Sequence, residues 1–501
     1  MIPEAVAFDR LKPRLAALWS EVFPRDDEPY TCVVIPSITL DAAELEREPA
    51  ALRYEETLLF FLIRLRNPRA RLVYVTSEPI PPAILEYYLQ FLAGIPATHA
   101  ASRLTMLSAH DPSRRPLVEK ILERPRLVER IRAAIRDPAR AYMTVLRSTA
   151  LERRLAIALD IPMNAADPGM DALCTKSGAR RVLREADVPV PLGREDLRSE
   201  EELLDALAWL ARERPGLERA VLKLDTSVWE RGHALVELPK RAGIRPLRGA
   251  LRHPTFSTPG TSSREYLSRF AATGGVAEEF LGPGPRAHAS VQVRIDPLGR
   301  VTLTSTHDEL RGGPAGLSAV GCRFPASDEY RPFLQDAGLR VGRVLARKGL
   351  VSRLSVEFVF CRDAEGRLAR VAATEVNLGF GGSTHPLLAV RFLTGGGVDP
   401  GSGMFVSPTG RPKFYRATDR LQSPAYRRLV PEDLIEILTL QRLHYSPRNE
   451  SGALFYLLRS VSELGQLGLL AIGNSRDEAE EVFRHTVAVL DREAEAQPEL
   501  P

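Results

Sequence analysis

Two patterns of hydrophobic and polar positions divide the chain. Up to about residue 165, short continuous apolar runs alternate with stretches whose apolar residues recur at helical spacing. Thr31-Cys32-Val33-Val34-Ile35-Pro36-Ser37 reads as a buried strand ending in a turn, and Arg71 to Ser77 reads the same way. Between them, Leu52, Leu58, Leu59, Ile63 and Leu65 give Ala51 to Arg66 a helical spacing. Ile80-Pro81-Pro82 opens a further helix, and Pro116 to Arg136 is a long charged helical stretch. Strand–helix–strand repetition predicts a parallel sheet with helices on its faces. No GxGxxG follows either strand, so the usual dinucleotide fingerprint is missing.

From residue 170 to about 400 the pattern changes. A helix from Ser177 to Ala186 is ended by Pro189 and Pro191, and a second runs from Ser199 to Arg214. Short strands are predicted at Arg219 to Leu224, His233 to Glu237, Gly275 to Leu281, His288 to Ile295, Val301 to His307, Ser352 to Cys361 and Arg367 to Asn377. Asp296-Pro297-Leu298-Gly299 and Asp363-Ala364-Glu365-Gly366 are hairpin turns. This is an α+β region rich in antiparallel sheet. Gly395 to Pro412, rich in Gly, Pro and Ser, reads as a linker. Beyond it come a helix over Pro431 to Leu443, an apolar stretch over Gly452 to Leu464 and an amphipathic helix over Ser475 to Glu495. They make a small C-terminal module.

Composition narrows the class. The chain has 501 residues, 44% apolar and 26% charged, the profile of a protein with large cores and two to four domains. A net charge of +4 over this length is a weak field, so no nucleic-acid partner is expected. Cys32, Cys174, Cys322 and Cys361 lie far apart with no CxxC pair, which argues against a zinc or redox centre and for a reducing compartment. Met1-Ile2-Pro3-Glu4 does not open a signal peptide, and the apolar run Leu58 to Leu65 is broken by Arg64 and too short for a bilayer. The expectation is a cytoplasmic protein with no membrane partner. Only seven of the 68 basic residues are lysines, so each retained lysine draws notice.

The richest chemistry lies in the hairpin at 352–377. Glu375 and Asn377 are two apart and share a face, and Glu357 is close to opposite on the preceding strand. Two carboxylates and an amide oxygen are hard ligands suited to Mg²⁺. Glu375-Val376-Asn377 alone would read as a solvated polar face; Glu357 in register turns the balance to a metal site. Lys223 interrupts the apolar strand Ala220 to Leu224, where a charge needs a partner or a route to water. Lys176 opens a helix, where a cation opposes the macrodipole unless an anion is bound; an exposed first-turn residue fits equally well. In Glu278-Glu279-Phe280-Leu281 an acidic pair lies inside an apolar run, either a strand with one charged face or a backbone edge for adenine.

In this order, these segments resemble the ATP-grasp superfamily of ligases, and within it the peptide ligases of the pheganomycin type. Ile35-Pro36-Ser37, Thr175-Lys176-Ser177, Thr306-His307-Asp308, Gly321 to Ala326, Gly381 to Pro386 and Gly465 to Gly473 carry the resemblance across nearly the whole chain. GCRFPA and GGSTHP are its most specific parts. It implies an α/β pre-ATP-grasp domain at 1–168, an α+β ATP-grasp domain at 169–400 holding the nucleotide and metal, and a small α+β C-terminal domain at 413–501. It further implies ATP phosphates on Lys176 and Lys223, an adenine hinge at Glu278, Glu279, Phe280 and Leu281, and Mg²⁺ on Glu357, Glu375 and Asn377. Arg353 takes the place of an arginine that steadies the transferring phosphoryl group, and His307 and His385 are candidates for proton handling or substrate orientation.

The implied activity joins an amino-acid-like acid to the amine of an amino acid or peptide through an acyl phosphate, in the making of a peptide natural product. A homodimer is the default expectation. Three departures stand out. The phosphate-covering loop Trp229-Glu230-Arg231-Gly232-His233 keeps one glycine and lacks the expected asparagine; Gly379 replaces an arginine; Glu309 replaces a glutamine. They leave open a homologue that binds nucleotide or acts as a scaffold without turnover.

Overall fold

The computed structural model describes residues 3–496 except 26, 41, 47, 49, 93, 227–231, 240–243, 259, 282–285, 313–315 and 317. The N-terminal region is built on β1 (Thr31–Ile35), β2 (Arg71–Thr76), β3 (Leu104–Ser108) and β4 (Ala141–Val145). They form a parallel sheet of order β3-β2-β1-β4, as the strand–helix–strand repetition predicts. β1 is buried along its whole length because helical segments cover both faces, which is why its sequence is a continuous apolar run rather than an alternation. The segment expected to be helical at 51–66 is a 3₁₀ helix, Arg53–Arg66. The charged stretch at 116–136 is two helices, Leu117–Leu122 and Pro125–Ala134, because Pro125 cannot continue the first.

Next come β5 (Gly193–Leu197), β6 (Arg219–Leu224), β7 (His233–Glu237), β8 (Thr255–Phe256) and β9 (Gly275–Glu279), an antiparallel sheet of order β5-β9-β6-β7-β8. The helix Glu200–Glu213 covers it. Ser199 and Glu202 close a capping box at the start of that helix, each accepting from the other's backbone N–H.

The large sheet contains β10 (Arg286–Ile295), β11 (Val301–Gly312), β12 (Ser318–Phe324), β13 (Ser352–Arg362), β14 (Leu368–Leu378), β15 (Gly397–Val398), β16 (Phe405–Val406), β17 (Pro412–Gln422), β18 (Gly452–Tyr456) and β19 (Gln466–Gly473). Its main path runs β14-β13-β10-β11-β12-β17-β16-β15, with β19 and then β18 added beside β17. One expectation is corrected here: the stretch read as a linker carries β15 and β16. The small C-terminal module adds its strands to the same sheet through β17 and β19. The helix Arg331–Arg347 lies on β10 and β11, and Gly338 and Gly342 let it approach the valines at 291, 293 and 301.

Candidate active site

The hairpin of β13 and β14 sets the site. Its register places Glu357 opposite Glu375 and Ser355 opposite Asn377. Alternation then splits β13. Leu354, Val356 and Phe358 are buried in the core under the helix Arg331–Arg347, while Arg353, Ser355 and Glu357 line a cavity on the other face. The Asn377 amide donates to Glu357 Oε1 at 2.9 Å and to Glu375 Oε2 at 3.3 Å.

Glu375 is buried and surrounded by cations. Lys176 Nζ lies 2.7 Å from its Oε2. His233 Nε2 lies 2.9 Å from its Oε1, but off hydrogen-bond alignment, so both atoms lack a hydrogen-bond partner. Burial alone would raise the Glu375 carboxyl; the Lys176 ammonium, with His233 and Lys223 behind it, outweighs burial and holds it well below the usual carboxylate range. Burial likewise dominates His233, lowering its imidazole in spite of the carboxylate beside it.

The two sheets of the central region meet at Lys223. Its ammonium projects from β6, donates to the Thr374 carbonyl on β14 at 3.0 Å and lies 3.0 Å from Glu278 Oε2 on β9. Lys176 is held by different means. Thr175 caps its helix through the Gly178 N–H, and Asp225 accepts from the Ser177 N–H at 2.7 Å. A Cβ on Gly178 would sit 1.9 Å from the Ala172 carbonyl oxygen, so only glycine permits that approach.

The cavity has a volume of about 440 Å³ and unites Lys176, Arg353, Glu357, Glu375, Asn377 and His385. Its wall also takes residues from the N-terminal sheet region, Leu146 to Ser148, and from the C-terminal part, Asp419 and Tyr456. Lys223 and Glu278 do not line it; Lys223 reaches Thr374, the chain neighbour of the lining residue Glu375, and Glu278 lies behind Lys223. The other hinge residues are the last residue of β9 and the two that follow it. Glu279 accepts from the Leu192 N–H at 2.6 Å and pairs with Arg370. The Phe280 ring is held between Arg219 and Arg286, whose guanidinium carbons lie 4.4 and 4.3 Å from its centroid. Leu281 packs on Val359, Cys361 and Ala372.

The two histidines separate. His307 does not line the cavity: it is fully buried between Phe324 and Tyr415, its Nε2 lies 2.6 Å from the Tyr415 hydroxyl, and burial pushes its imidazole down to about 3. As a candidate for proton handling or substrate orientation it is therefore set apart from the cavity, packed among rings. His385 does line the cavity. Its Nδ1–H donates to the Thr57 carbonyl at 2.8 Å, which leaves Nε2 as an acceptor with no hydrogen-bond partner. Burial lowers its imidazole to about 4, so it is neutral at pH 7.

Of the three departures, Glu230 lies outside the described residues. Gly379 has φ +87°, and a Cβ there would meet the Leu146 carbonyl oxygen at 3.3 Å, so this backbone disfavours any side chain. Glu309 lines the cavity and accepts from the Ser290 hydroxyl. Burial, then Glu357, raises its carboxyl to about 8, so it is protonated at neutral pH. Sequence reasoning missed His233, Arg64 and Arg294. His233 was visible as the polar start of an apolar strand; the two arginines carry no signal in so arginine-rich a chain.

Two carboxylates and an amide, all hard oxygen donors, suit a divalent cation, and the buried Glu375 Oε1 without a hydrogen-bond partner is the observation that fits one. Among the described residues no group of three or more His, Cys, Asp and Glu is arranged as a metal cluster, here or elsewhere, so the metal reading rests on the two carboxylates and the amide.

Comparison with known proteins gives the fold and the family. The family model described as IQCH-like, ATP-grasp matches residues 170–247 and 254–400, and the PGM1 C-terminal domain model matches residues 433–486. An L-propargylglycine–L-glutamate ligase of Streptantibioticus cattleyicolor is 30% identical over 484 residues, spanning 94% of this chain and 96% of that protein. IQ motif-containing protein H of Danio rerio is 23% identical over 88% of this chain but only 46% of its own length. Among solved structures, a biotin carboxylase–ATP complex from Campylobacter jejuni aligns with TM-score 0.56 at 14% identity over 94% of this chain and 95% of that one. N5-carboxyaminoimidazole synthetase of Staphylococcus aureus complexed with ADP aligns with TM-score 0.51 at 10% identity over 92% and 98%. Fold and family together define an ATP-grasp enzyme of the ligase class. Within it, the chain belongs to the peptide ligases of the pheganomycin type.

Proposed function

We propose that the protein is an ADP-forming carboxylate–amine ligase that joins two amino-acid-like substrates in the making of a peptide natural product. The observation that carries this reading is the convergence of Lys176, Glu375, Glu357 and Asn377 on one cavity wall, with Lys223 bridging the two sheets behind it. A carboxylate oxygen of the first substrate attacks the γ-phosphorus of ATP, the bond to the bridging oxygen breaks, and ADP leaves with the electron pair. The amine nitrogen of the second substrate then attacks the acyl carbon, the bond to phosphate breaks, and the nitrogen loses one proton.

Each residue has a part in this. Lys176 and Lys223 hold phosphate oxygens, and Glu278 to Leu281 provide the adenine edge. Glu357, Glu375 and Asn377 would hold Mg²⁺, which supplies charge neutralisation as phosphate is transferred. Arg353 steadies the transferring phosphoryl group. The bare Nε2 of His385 orients the attacking amine. The boundaries 1–168, 169–400 and 413–501 are proposed as the division of labour, with a homodimer as assembly state. The cytoplasm, where ATP and free amino acids meet, is the proposed location.

The test is a mass-spectrometric screen of amino acids and short peptides with ATP. An ATP-dependent product equal to two substrates less one water supports the reading. Glu375→Ala should abolish ADP release while circular dichroism and melting stay those of a folded protein; full activity in that variant removes the metal assignment. A second reading, nucleotide binding without turnover, is favoured by Gly379, whose positive φ disfavours the arginine that the resemblance leads one to expect there. Calorimetric ATP binding with no ADP release from any amino-acid pool would select it.

A further inference from the structure

Arg64, Arg294 and Arg353 line the cavity, and none of them makes an ion pair with a carboxylate among the described residues. They come from separate parts of the chain: Arg64 from the 3₁₀ helix Arg53–Arg66, Arg294 from β10 and Arg353 from β13. Arg294 and Arg353 are direct register partners. Like charges opposite each other on neighbouring strands destabilise a sheet. The groups that hold these guanidinium groups carry no formal charge: aromatic rings and, for Arg64, the hydroxyls of Tyr30 and Tyr142, which favour its charged form over burial. Arg294 lies 4.9 Å from the Trp19 centroid, Arg353 lies 5.9 Å from that of Phe380, and Arg64 lies 5.6 Å from that of Phe23. The Arg64 Nε is buried without a hydrogen-bond partner. Rings orient a guanidinium without neutralising it. Arg391, exposed nearby, adds positive charge to the group.

Burial, followed by mutual repulsion, lowers Arg294 to about 10 and Arg353 well below the guanidinium range. Three cations held together at a cost, facing a cavity, need an anion to balance them. The strand register says where that anion lies. Arg353 precedes the metal-site residue Glu357 by four positions on the same face of β13, about 13 Å along the strand. The cluster is therefore set apart from the Lys176–Glu375 end proposed for the nucleotide phosphates. Planar guanidinium forks match a carboxylate in bidentate geometry.

We propose that Arg64 and Arg294, with Arg353 between them and the phosphoryl group, form a subsite for a second carboxylate of the acid being activated. The acid substrate is then a dicarboxylic one. Its far carboxylate is clamped by the arginines while its near one faces the Glu357–Glu375 end. This rests on the ligase reading above and names the substrate class of its first half-reaction.

The test uses the full chain and donors matched in length: L-aspartate against L-asparagine, L-glutamate against L-glutamine, and L-2-aminoadipate against L-norleucine, with an amino-acid pool as amine. ADP release with one dicarboxylic acid, at least about 100-fold greater than with its uncharged match, is expected. Arg294→Gln and Arg64→Gln should each raise the KM of that acid about 10-fold or more and leave the KM of ATP unchanged. Arg294→Gln should also keep or raise the melting temperature, since it removes repulsion from Arg64; a purely structural role would lower it. Equal use of the uncharged match, unchanged KM, or a rise confined to the KM of the amine overturns the subsite while leaving the ligase reading intact. If no donor supports ADP release, the ligase reading fails and equilibrium binding decides the subsite. Calorimetric binding of one of the three dicarboxylic amino acids that both variants lose would support it. No such binding, or tighter binding of inorganic phosphate, would overturn it.

Discussion

Glu375 carries its charge in a buried setting chiefly because the Lys176 ammonium stands against its Oε2. Lys223 performs the matching task across the sheets, and its substitution gives a direct check on the nucleotide assignment. Lys223→Ala should raise the Mg-ATP dissociation constant about 10-fold or abolish turnover; calorimetry showing unchanged affinity together with an unchanged rate would mean that phosphate is held elsewhere. Glu309 gives a pH-dependent prediction. Its carboxyl is raised to about 8 by burial and Glu357, against about 4.3 in an unfolded chain. Between those values the native state holds a proton that the unfolded state releases, so stability falls as pH rises through the window, by at most ~1.4 kcal/mol per unit. Glu309→Gln does not titrate. Its melting temperature should therefore gain on that of the wild type steadily from pH 5 to pH 8, and parallel curves would refute the shift. The hairpin residues were legible in the sequence because a period of two fixes which side chains share a face. The scarcity of lysine was also informative: Lys120, Lys176, Lys223 and Lys413 are all buried. His233, Arg64 and Arg294 were not legible, because their roles arise only when separate segments meet.

At the scale of elements, β1, β2 and the hairpin 352–378 followed from apolar runs and turn residues. The strands β3, β4, β5, β8, β12 and β15 to β19 did not. Gly193 to Leu197 carries Arg194, Glu195 and Asp196 and has no apolar alternation, so its pairing with β9 is decided by tertiary contacts rather than by its own pattern. β15 and β16 are two residues each, too short to leave a period. The helix Arg331–Arg347 shows the reverse case, in which two glycines have a packing reason. A Cβ at Gly338 would lie 2.7 Å from a Val291 methyl, and one at Gly342 would lie 2.6 Å from a Val301 methyl. Gly338→Leu improves helix propensity by roughly 1 kcal/mol yet forces the helix off β10. A net loss of about 1–3 kcal/mol in urea unfolding is expected; a net gain would show that the helix has room to lift.

For the whole molecule, the largest core ignores the divisions along the chain. Trp19, Cys32, Leu58 and Tyr142 from the N-terminal region share one apolar cluster with Phe324, Phe392, Tyr415, Leu454 and Leu490. Polar contacts cross the same boundary: the Tyr87 hydroxyl accepts from the Phe455 N–H at 3.1 Å, and Arg459 donates to Glu78 at 3.0 Å. The active-site cavity is walled by both regions and by the hairpin, so its shape depends on their staying together. A separable C-terminal module would unfold without disturbing β1. A shared core predicts otherwise. Leu454 is fully buried within it, and Leu454→Ala should cost about 2–5 kcal/mol. Hydrogen exchange then distinguishes the two cases. Amides of β1, far from residue 454 in sequence but in the same cluster, should lose protection to the same extent as those of β18 and β19. Loss confined to β18 and β19 would make the C-terminal part an independent folding unit and would detach its wall of the cavity from the rest.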